Sequence, residues 1–149
     1  MGSEYDFGHG LVPAHRHKNP SGFEGGWVAD SAQVHSDVFI ERDALVYGNA
    51  WVNGYAQVSG NALVCGNAQV SDNAQVSGNA RVNGYAQVFE YAQVCGNARV
   101  FGDAVVYGNA WVYGNALVYG NAMVFGKGVV CGNTMVCGKV SVFGNLVGN

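Results

Sequence analysis

The chain has 149 residues and a mass of 15.6 kDa, which is enough for one domain with a sizeable buried core. Only 11% of the residues are charged and the net charge is −3, so a disordered chain and a nucleic-acid-binding surface are both disfavoured. No apolar run approaches the ~18 residues of a transmembrane helix, so we expect no membrane partner.

Residues 1–25 contain both prolines and three of the four histidines, His9, His15 and His17. They lack the basic start and apolar stretch of a secretory signal, so cytoplasm is the expected location. We expect this segment to be an N-terminal cap or irregular segment. The His-x-His spacing at 15 and 17 is a weak metal signal, and no metal or cofactor is predicted.

Residues 26–149 form a second region, in which a hexad of the form Ala-x-Val-x-Gly-Asn repeats in one register through Leu146. Of the 20 Val positions between Val28 and Val142, 19 hold Val and the other holds Ile40. The Gly position is Gly in 15 of 17 hexads between Gly48 and Gly144, the exceptions being Asp72 and Glu90. Repetition of this kind indicates a repeat architecture rather than a globular fold with scattered elements.

The hexad predicts a short strand followed by a bend. Ala and Val lie two residues apart, so both side chains point to one side of a strand, and the residues between them point to the other. Gly-Asn tolerates the positive φ that a corner needs. A six-residue period with two-residue alternation gives no consistent face to a helix. The sequence therefore predicts an all-β solenoid whose Ala and Val side chains form a continuous core.

Runs such as Gly60-Asn61-Ala62-Leu63-Val64 and Gly108-Asn109-Ala110-Trp111-Val112 resemble the hexapeptide-repeat proteins with left-handed parallel β-helices. The Gly-Asn-Ala-x-Val-x form is similar to a bacterial and phage-associated subgroup of unassigned function. The resemblance implies a left-handed, three-sided solenoid with three hexads per coil and about seven coils.

The outward positions change character along the chain. From Arg99 to Val147, 15 of 17 outward residues are apolar or aromatic, and residues 100–149 carry three of the seventeen charges. A soluble monomer rarely exposes a contiguous apolar patch above a few hundred Å². We therefore expect a non-enzymatic binding or scaffold protein that forms a homo-oligomer, a dimer or trimer, through this region. The predicted protein-binding residues are Phe89, Phe101, Tyr107, Trp111, Tyr113, Tyr119, Phe125 and Phe143.

Other interpretations stay open. The aromatic columns could simply stack on one another and protect the strands. The surface could instead bind a heterologous protein, for example a host protein bound by a phage or mobile-element factor. The runner-up function is a degenerate hexapeptide-repeat acyltransferase, although no histidine follows His35 and no catalytic residue is predicted. Asp72 and Glu90 could form an interacting acid pair, but solvated corner residues are the favoured interpretation.

The four cysteines, Cys65, Cys95, Cys131 and Cys137, all follow a Val of the repeat and point outward. No two of them are eighteen residues apart, so none is expected to stack directly on another, and disulfides are not predicted. Free thiols are typical of a reducing compartment.

Overall fold

The structure, a computed structural model, describes residues 2–148, with no helix among them. The N-terminal strands are β1 (Ser3–Asp6), β2 (Leu11–Lys18) and β3 (Glu24–Ala29). The repeat forms twenty further strands: β4 (Gln33–Val34), β5 (Phe39–Ile40), β6 (Leu45–Val46), β7 (Trp51–Val52), β8 (Gln57–Val58), β9 (Leu63–Val64), β10 (Gln69–Val70), β11 (Gln75–Val76), β12 (Arg81–Val82), β13 (Gln87–Val88), β14 (Gln93–Val94), β15 (Arg99–Val100), β16 (Val105–Val106), β17 (Trp111–Val112), β18 (Leu117–Val118), β19 (Met123–Val124), β20 (Val129–Gly132), β21 (Met135–Val136), β22 (Ser141–Val142) and β23 (Asn145–Gly148).

The strands stack into three sheets. Sheet A has the order β1-β2-β3-β6-β9-β12-β15-β18-β21, sheet B runs from β4 to β22, and sheet C runs from β5 to β23, with every third strand in each. Within the repeat the pairing is parallel and mostly eighteen residues apart, as between Gln69 and Gln87. Three hexads therefore make one coil and about seven coils stack, which confirms the expected β-solenoid.

The core is a stack of Ala and Val side chains enclosed by the three sheets. The Ala and Val of successive hexads, from Ala44 to Val124, are almost completely buried. Each buried Val contributes about 1.5 to 3 kcal/mol to stability. The alternation that places these residues inside also turns the intervening side chains outward. The outward faces of sheets A, B and C are called face A, face B and face C below.

Glycine forms the corners because the chain there takes a positive φ. Gly66, for example, has φ of +67°, and a Cβ at this position would lie 2.9 Å from the backbone nitrogen of Gly84 in the next coil. Asp72 and Glu90 occupy the same corner position with φ of 59° and 60°. These two corners therefore hold a conformation that L residues disfavour.

The N-terminal segment is more regular than an irregular cap. β1 and β2 form an antiparallel hairpin, and β2 pairs with β3, whose Val28 lies opposite Val46 of the first coil. The hairpin thereby extends sheet A. Gly25 and Gly26 pass so close to the first coil that an added Cβ would collide with the carbonyl oxygens of Ile40 and Ala44.

The hexad register fails at the other end, so the expectation that it runs through Leu146 is wrong. β23 pairs with β20 at a spacing of sixteen residues, with Leu146 opposite Val130. Eighteen-residue spacing would place Gly148 over Val130, and glycine has no side chain to continue the apolar column. The shift puts Leu146 there instead. The side chain of Val147 lies outside the described residues.

Candidate interaction surface

Face B carries the longest column of predicted binding residues. Phe89 and Tyr107 stack with ring centroids 5.1 Å apart and planes 4° apart, and Tyr107 stacks on Phe125 at 5.4 Å. Phe125 and Phe143 continue the column at 5.7 Å with a tilt of 37°. The column arises because residues one coil apart occupy the same position on the same sheet. Val105 and Met123 lie beside it in β16 and β19.

The remaining predicted residues lie on the other two faces. Phe101 and Tyr119 stack on face A at 4.9 Å with planes 2° apart. On face C, Trp111 and Tyr113 contact at 5.0 Å, and the indole Nε1 of Trp111 donates to the sulfur of Cys95 at 3.2 Å. The structure therefore divides the eight residues among three faces and does not bring them into one site.

Stacking partly covers these rings. Of the eight predicted residues, Trp111 and Phe143 are exposed, at 44% and 67%, and the other six are half-buried. Five of the half-buried rings stack on rings of neighbouring coils, as the alternative interpretation of the columns described, whereas Tyr113 contacts Trp111 of its own coil. Each column still exposes part of its rings to solvent, so the surface stays apolar.

Tyrosine and cysteine lie one above the other at three places. The hydroxyl of Tyr47 is partly buried and hydrogen-bonded to Cys65, which raises the pKa of Tyr47 to about 12. Burial raises the pKa of the Cys65 thiol. Hydrogen bonds with Cys131 and Cys137 raise the pKa of Tyr113 and of Tyr119, respectively. All four cysteines are free thiols. The contacts with cysteine disfavour the phenolate forms of Tyr47, Tyr113 and Tyr119.

The most exposed tyrosines are residues that the sequence reasoning missed. Tyr55, Tyr85 and Tyr91 are 67%, 63% and 62% exposed. They occupy the Asn position of the corner, whereas the sequence reasoning considered only the outward positions of the strands. The signal was available, because each interrupts the Gly-Asn pattern with an aromatic residue.

A second aromatic cluster lies at the N-terminal end. Tyr5 of β1 stacks on Trp27 at 5.0 Å, and Phe7 stacks on Tyr47 at 4.9 Å. Arg16 lies over the ring of Trp27 with its guanidinium carbon 5.0 Å from the centroid. The hairpin therefore covers the aromatic residues at this end of sheet A.

The histidines are dispersed rather than clustered. His15 contacts the Asp30 carboxylate at 2.7 Å, His35 lies 3.6 Å from Asp37, and Nε2 of His17 donates to the Val38 carbonyl at 2.6 Å. Within residues 2–148, no three His, Cys, Asp or Glu side chains lie close enough together to hold a metal ion. One open depression of about 690 Å³ is lined by residues of the first three strands and the turn between β2 and β3, among them His15, Arg16 and Trp27.

The two corner carboxylates do stack. Asp72 and Glu90 lie in adjacent coils, and Oδ2 of Asp72 accepts a hydrogen bond from the backbone N–H of Glu90 at 3.0 Å. Both side chains are exposed. The contact joins a carboxylate to a peptide group rather than one carboxyl group to another, as expected of solvated corner residues.

Comparison with known families agrees with this geometry. A family model described as the YdcK beta solenoid repeat matches residues 56–72, 74–90, 92–108 and 116–132. These four segments are similar to the YdcK beta solenoid repeat. Each matched YdcK segment begins at an Ala of the hexad and spans nearly one coil, so the match covers the regular centre of the solenoid. Neither the curated proteins nor the solved structures gave a match.

No helix of the described residues is both long enough and apolar enough to cross a membrane. The similarity to the YdcK repeat concerns the solenoid repeat and carries no activity.

Proposed function

We propose that this protein is a non-enzymatic binding and scaffold protein, which associates first with a second copy of itself. The interface is the C-terminal apolar surface, defined as the outward side chains of residues 99–143. One observation carries the proposal: apolar or aromatic side chains predominate on all three faces of these coils, with Arg99 and Ser141 as the exceptions, whereas the outward residues of the preceding coils are mostly polar.

The contrast between the two ends of the solenoid supports self-association. At the N-terminal end, Tyr5 and Phe7 of the hairpin stack on Trp27 and Tyr47 and so cover them. At the C-terminal end, Trp111 and Phe143 remain exposed. Apolar surface that stays in water costs about 25 cal/mol per Å² relative to burial. A second copy would bury this surface on both molecules at once.

The positions of the histidines support a non-enzymatic role. All four precede residue 36, and His15, His17 and His35 each contact a group within the N-terminal part of the chain. The long regular part of the solenoid therefore contributes stacked aromatic, amide and aliphatic side chains. Such groups suit protein contact better than proton transfer.

We further place the protein in the cytoplasm, because its four free thiols suit a reducing compartment. A heterologous protein, such as a host protein bound by a phage-encoded factor, is a second proposed occupant of the same surface. Stacked rings on a rigid solenoid lose little side-chain entropy on binding, which favours either occupant.

Light scattering after gel filtration, over a hundredfold range of dilution, tests the proposal. We expect a dimer or larger species that dissociates on dilution. Trp111→Ala should weaken association by about 2 kcal/mol, roughly thirtyfold in the dissociation constant, if the indole anchors the interface. Trp51→Ala is the matched control, because Trp51 is similarly exposed at 49% but lies in the polar part of face B.

A wild-type protein that stays monomeric at the highest concentration would overturn self-association. Equal weakening by Trp51→Ala and Trp111→Ala would overturn the assignment of the interface to the C-terminal apolar surface. Thermal unfolding of each variant verifies that the fold is retained.

A further inference from the structure

Four charged residues interrupt an otherwise uncharged stretch of the solenoid. Between Asp43 and Asp103 the charged residues are Asp72, Arg81, Glu90 and Arg99. Acidic and basic residues alternate, and neighbours are nine residues apart. Since one coil holds eighteen residues, each step of nine is half a coil.

Because of this half-coil spacing, the basic and the acidic residues lie on opposite sides of the molecule. Arg81 lies in β12 and Arg99 in β15, both on face A. Asp72 and Glu90 lie at the corner that joins sheet B to sheet C, called the BC edge here. In a three-sided solenoid, the BC edge lies opposite face A. All four side chains are exposed.

Within one chain, like charges are stacked on like charges. Arg81 and Arg99 are direct partners in the parallel pairing of β12 and β15, and Asp72 contacts the backbone of Glu90 in the next coil. Neighbouring strands are about 4.8 Å apart, a distance at which like charges destabilise a sheet. Among the residues that the structure describes, the ion pairs join residues between His15 and Asp37 only. Neither the Arg81–Arg99 pair nor the Asp72–Glu90 pair is therefore neutralised by an ion pair within the described part of the chain.

We propose that the Arg81–Arg99 pair of one copy binds the Asp72–Glu90 pair of a second copy that lies alongside it in parallel. This inference rests on the proposed function, because it specifies how two copies meet. Both pairs repeat at the spacing of one coil, so two solenoids side by side bring two guanidinium groups to two carboxylates. Guanidinium and carboxylate groups also form the strongest type of ion pair, with two parallel hydrogen bonds.

The parallel orientation follows from the apolar residues in the neighbouring coils. Leu117 and Met135 follow Arg99 on face A in the next two coils, and Trp111 and Phe125 flank the BC edge in the same part of the solenoid. A parallel arrangement brings these apolar groups together beside the ion pairs. An antiparallel arrangement would place them against the polar coils of the neighbour.

The contact is of the head-to-tail kind, because it joins two different surfaces of the same protein. Face A and the BC edge lie on opposite sides, so each copy can bind one neighbour with each. Such a contact does not close after two copies and leads to a row of solenoids. Increasing salt should shorten the rows, because exposed ion pairs are screened.

The decisive experiment mixes two charge-reversed proteins. R81E/R99E leaves two acidic surfaces and D72K/E90K leaves two basic surfaces, so each alone should associate at least about tenfold more weakly than wild type. An equimolar mixture should recover association to within about threefold, because each protein supplies the surface that the other needs. Light scattering of the separate and mixed proteins at constant total concentration measures this.

D72G/E90G separates association from folding. This variant places glycine, the residue of the other fifteen hexads, at both corners. Glycine adopts a positive φ without strain, so the thermal midpoint should not fall. Association should still weaken about tenfold, because the Arg pair loses its partner.

Two results would overturn the inference while leaving the proposed function intact. One is a mixture that associates no better than its components, and the other is D72G/E90G that associates as wild type does. A monomeric wild-type protein would overturn both the inference and the proposed function.

Discussion

The side-chain amide of Asn19 forms two hydrogen bonds with the peptide groups of Ile40. Nδ2 donates to the Ile40 carbonyl at 3.0 Å, and Oδ1 accepts from the Ile40 N–H at 2.8 Å. Elsewhere in the solenoid a neighbouring strand makes such bonds, as where the N–H of Ser71 donates to the carbonyl of Val88 at 3.0 Å. One buried amide therefore takes the place of a neighbouring strand beside Ile40 at the N-terminal edge of sheet C.

Asn19→Ala should destabilise the first coil by about 2 kcal/mol, because it leaves a buried N–H and a buried carbonyl without partners. Repeat proteins open from their ends, so the loss should be local. Hydrogen exchange at the Ile40 amide should therefore accelerate about thirtyfold, while exchange in β14 stays unchanged. Asn49→Ala, at an exposed corner, serves as the control. Slow exchange at Ile40 in the Asn19 variant would contradict this role.

His17 makes the same edge sensitive to pH. Its Nε2 carries the proton, because a carbonyl can only accept a hydrogen bond. Burial lowers the pKa of His17 below its usual 6.5, with a smaller contribution from the charge of His15, while the bond to Val38 opposes the shift. The folded protein thus binds fewer protons than the unfolded chain in the window between the lowered pKa and 6.5.

The contribution of His17 to the free energy of unfolding is therefore fully present above about pH 6.5. It is lost as the pH falls from 6.5 through the lowered pKa of His17. His17→Gln keeps a donor for the Val38 carbonyl but does not titrate. We expect the thermal midpoint of wild type to fall relative to that of the Gln variant between pH 7.5 and pH 5. Parallel pH profiles for the two proteins would contradict a titrating role for His17.

The regular part of the fold could be predicted from the sequence because one local rule repeats without insertion. Alternation of side chains fixes which residues enter the core, and Gly-Asn fixes the corners, as at Gly66. The two ends could not be predicted in this way. The reciprocal bonds of Asn19 depend on a contact across 21 residues, and the shift at Leu146 depends on which side chain can fill the column over Val130.

Corner glycines should matter for two separable reasons, backbone conformation and contact between coils. Gly66→Ala should lower stability through its φ of +67° and through the Cβ placed 2.9 Å from the nitrogen of Gly84. Gly138→Ala has φ of +71° but meets nothing within 4 Å, so it isolates the conformational cost of about 1 to 2 kcal/mol. The Gly66 variant should unfold at a lower urea concentration than the Gly138 variant. Equal midpoints would mean that the close approach costs nothing.

The candidate surface was only partly predictable. The hexad places Phe89 above Tyr107 by counting eighteen residues, and the structure stacks them. Counting cannot give the exposed fraction of a ring, because this depends on how far the neighbouring ring covers it. The exposed rings of Tyr55 and Tyr91 were not predicted either, because they lie at corners, where the hexad predicts only bends.

The corner between sheets C and A holds a ladder of asparagine side chains. Asn61, Asn79, Asn97, Asn115 and Asn133 are linked by amide hydrogen bonds of 3.2 to 3.4 Å, each Nδ2 donating to the Oδ1 of the next coil. Asn97 lies in the middle and takes part in two of these bonds. Amide ladders of this type stabilise stacked strands in cross-β structures.

Asn97→Ala should break two bonds of this ladder and lower the free energy of unfolding by about 1 kcal/mol, since both amides that lose a bond are exposed and can turn to water. Asn109→Ala is the matched control, because Asn109 occupies the same position of the hexad at the BC edge, between Tyr91 and Lys127 of the adjacent coils. Urea unfolding followed by circular dichroism measures both variants. The backbone N–H groups of Asn97 and Asn109 donate to carbonyls of the next coil at 2.7 and 2.8 Å. Because these bonds are alike, equal destabilisation by the two variants would show that the ladder contributes nothing of its own.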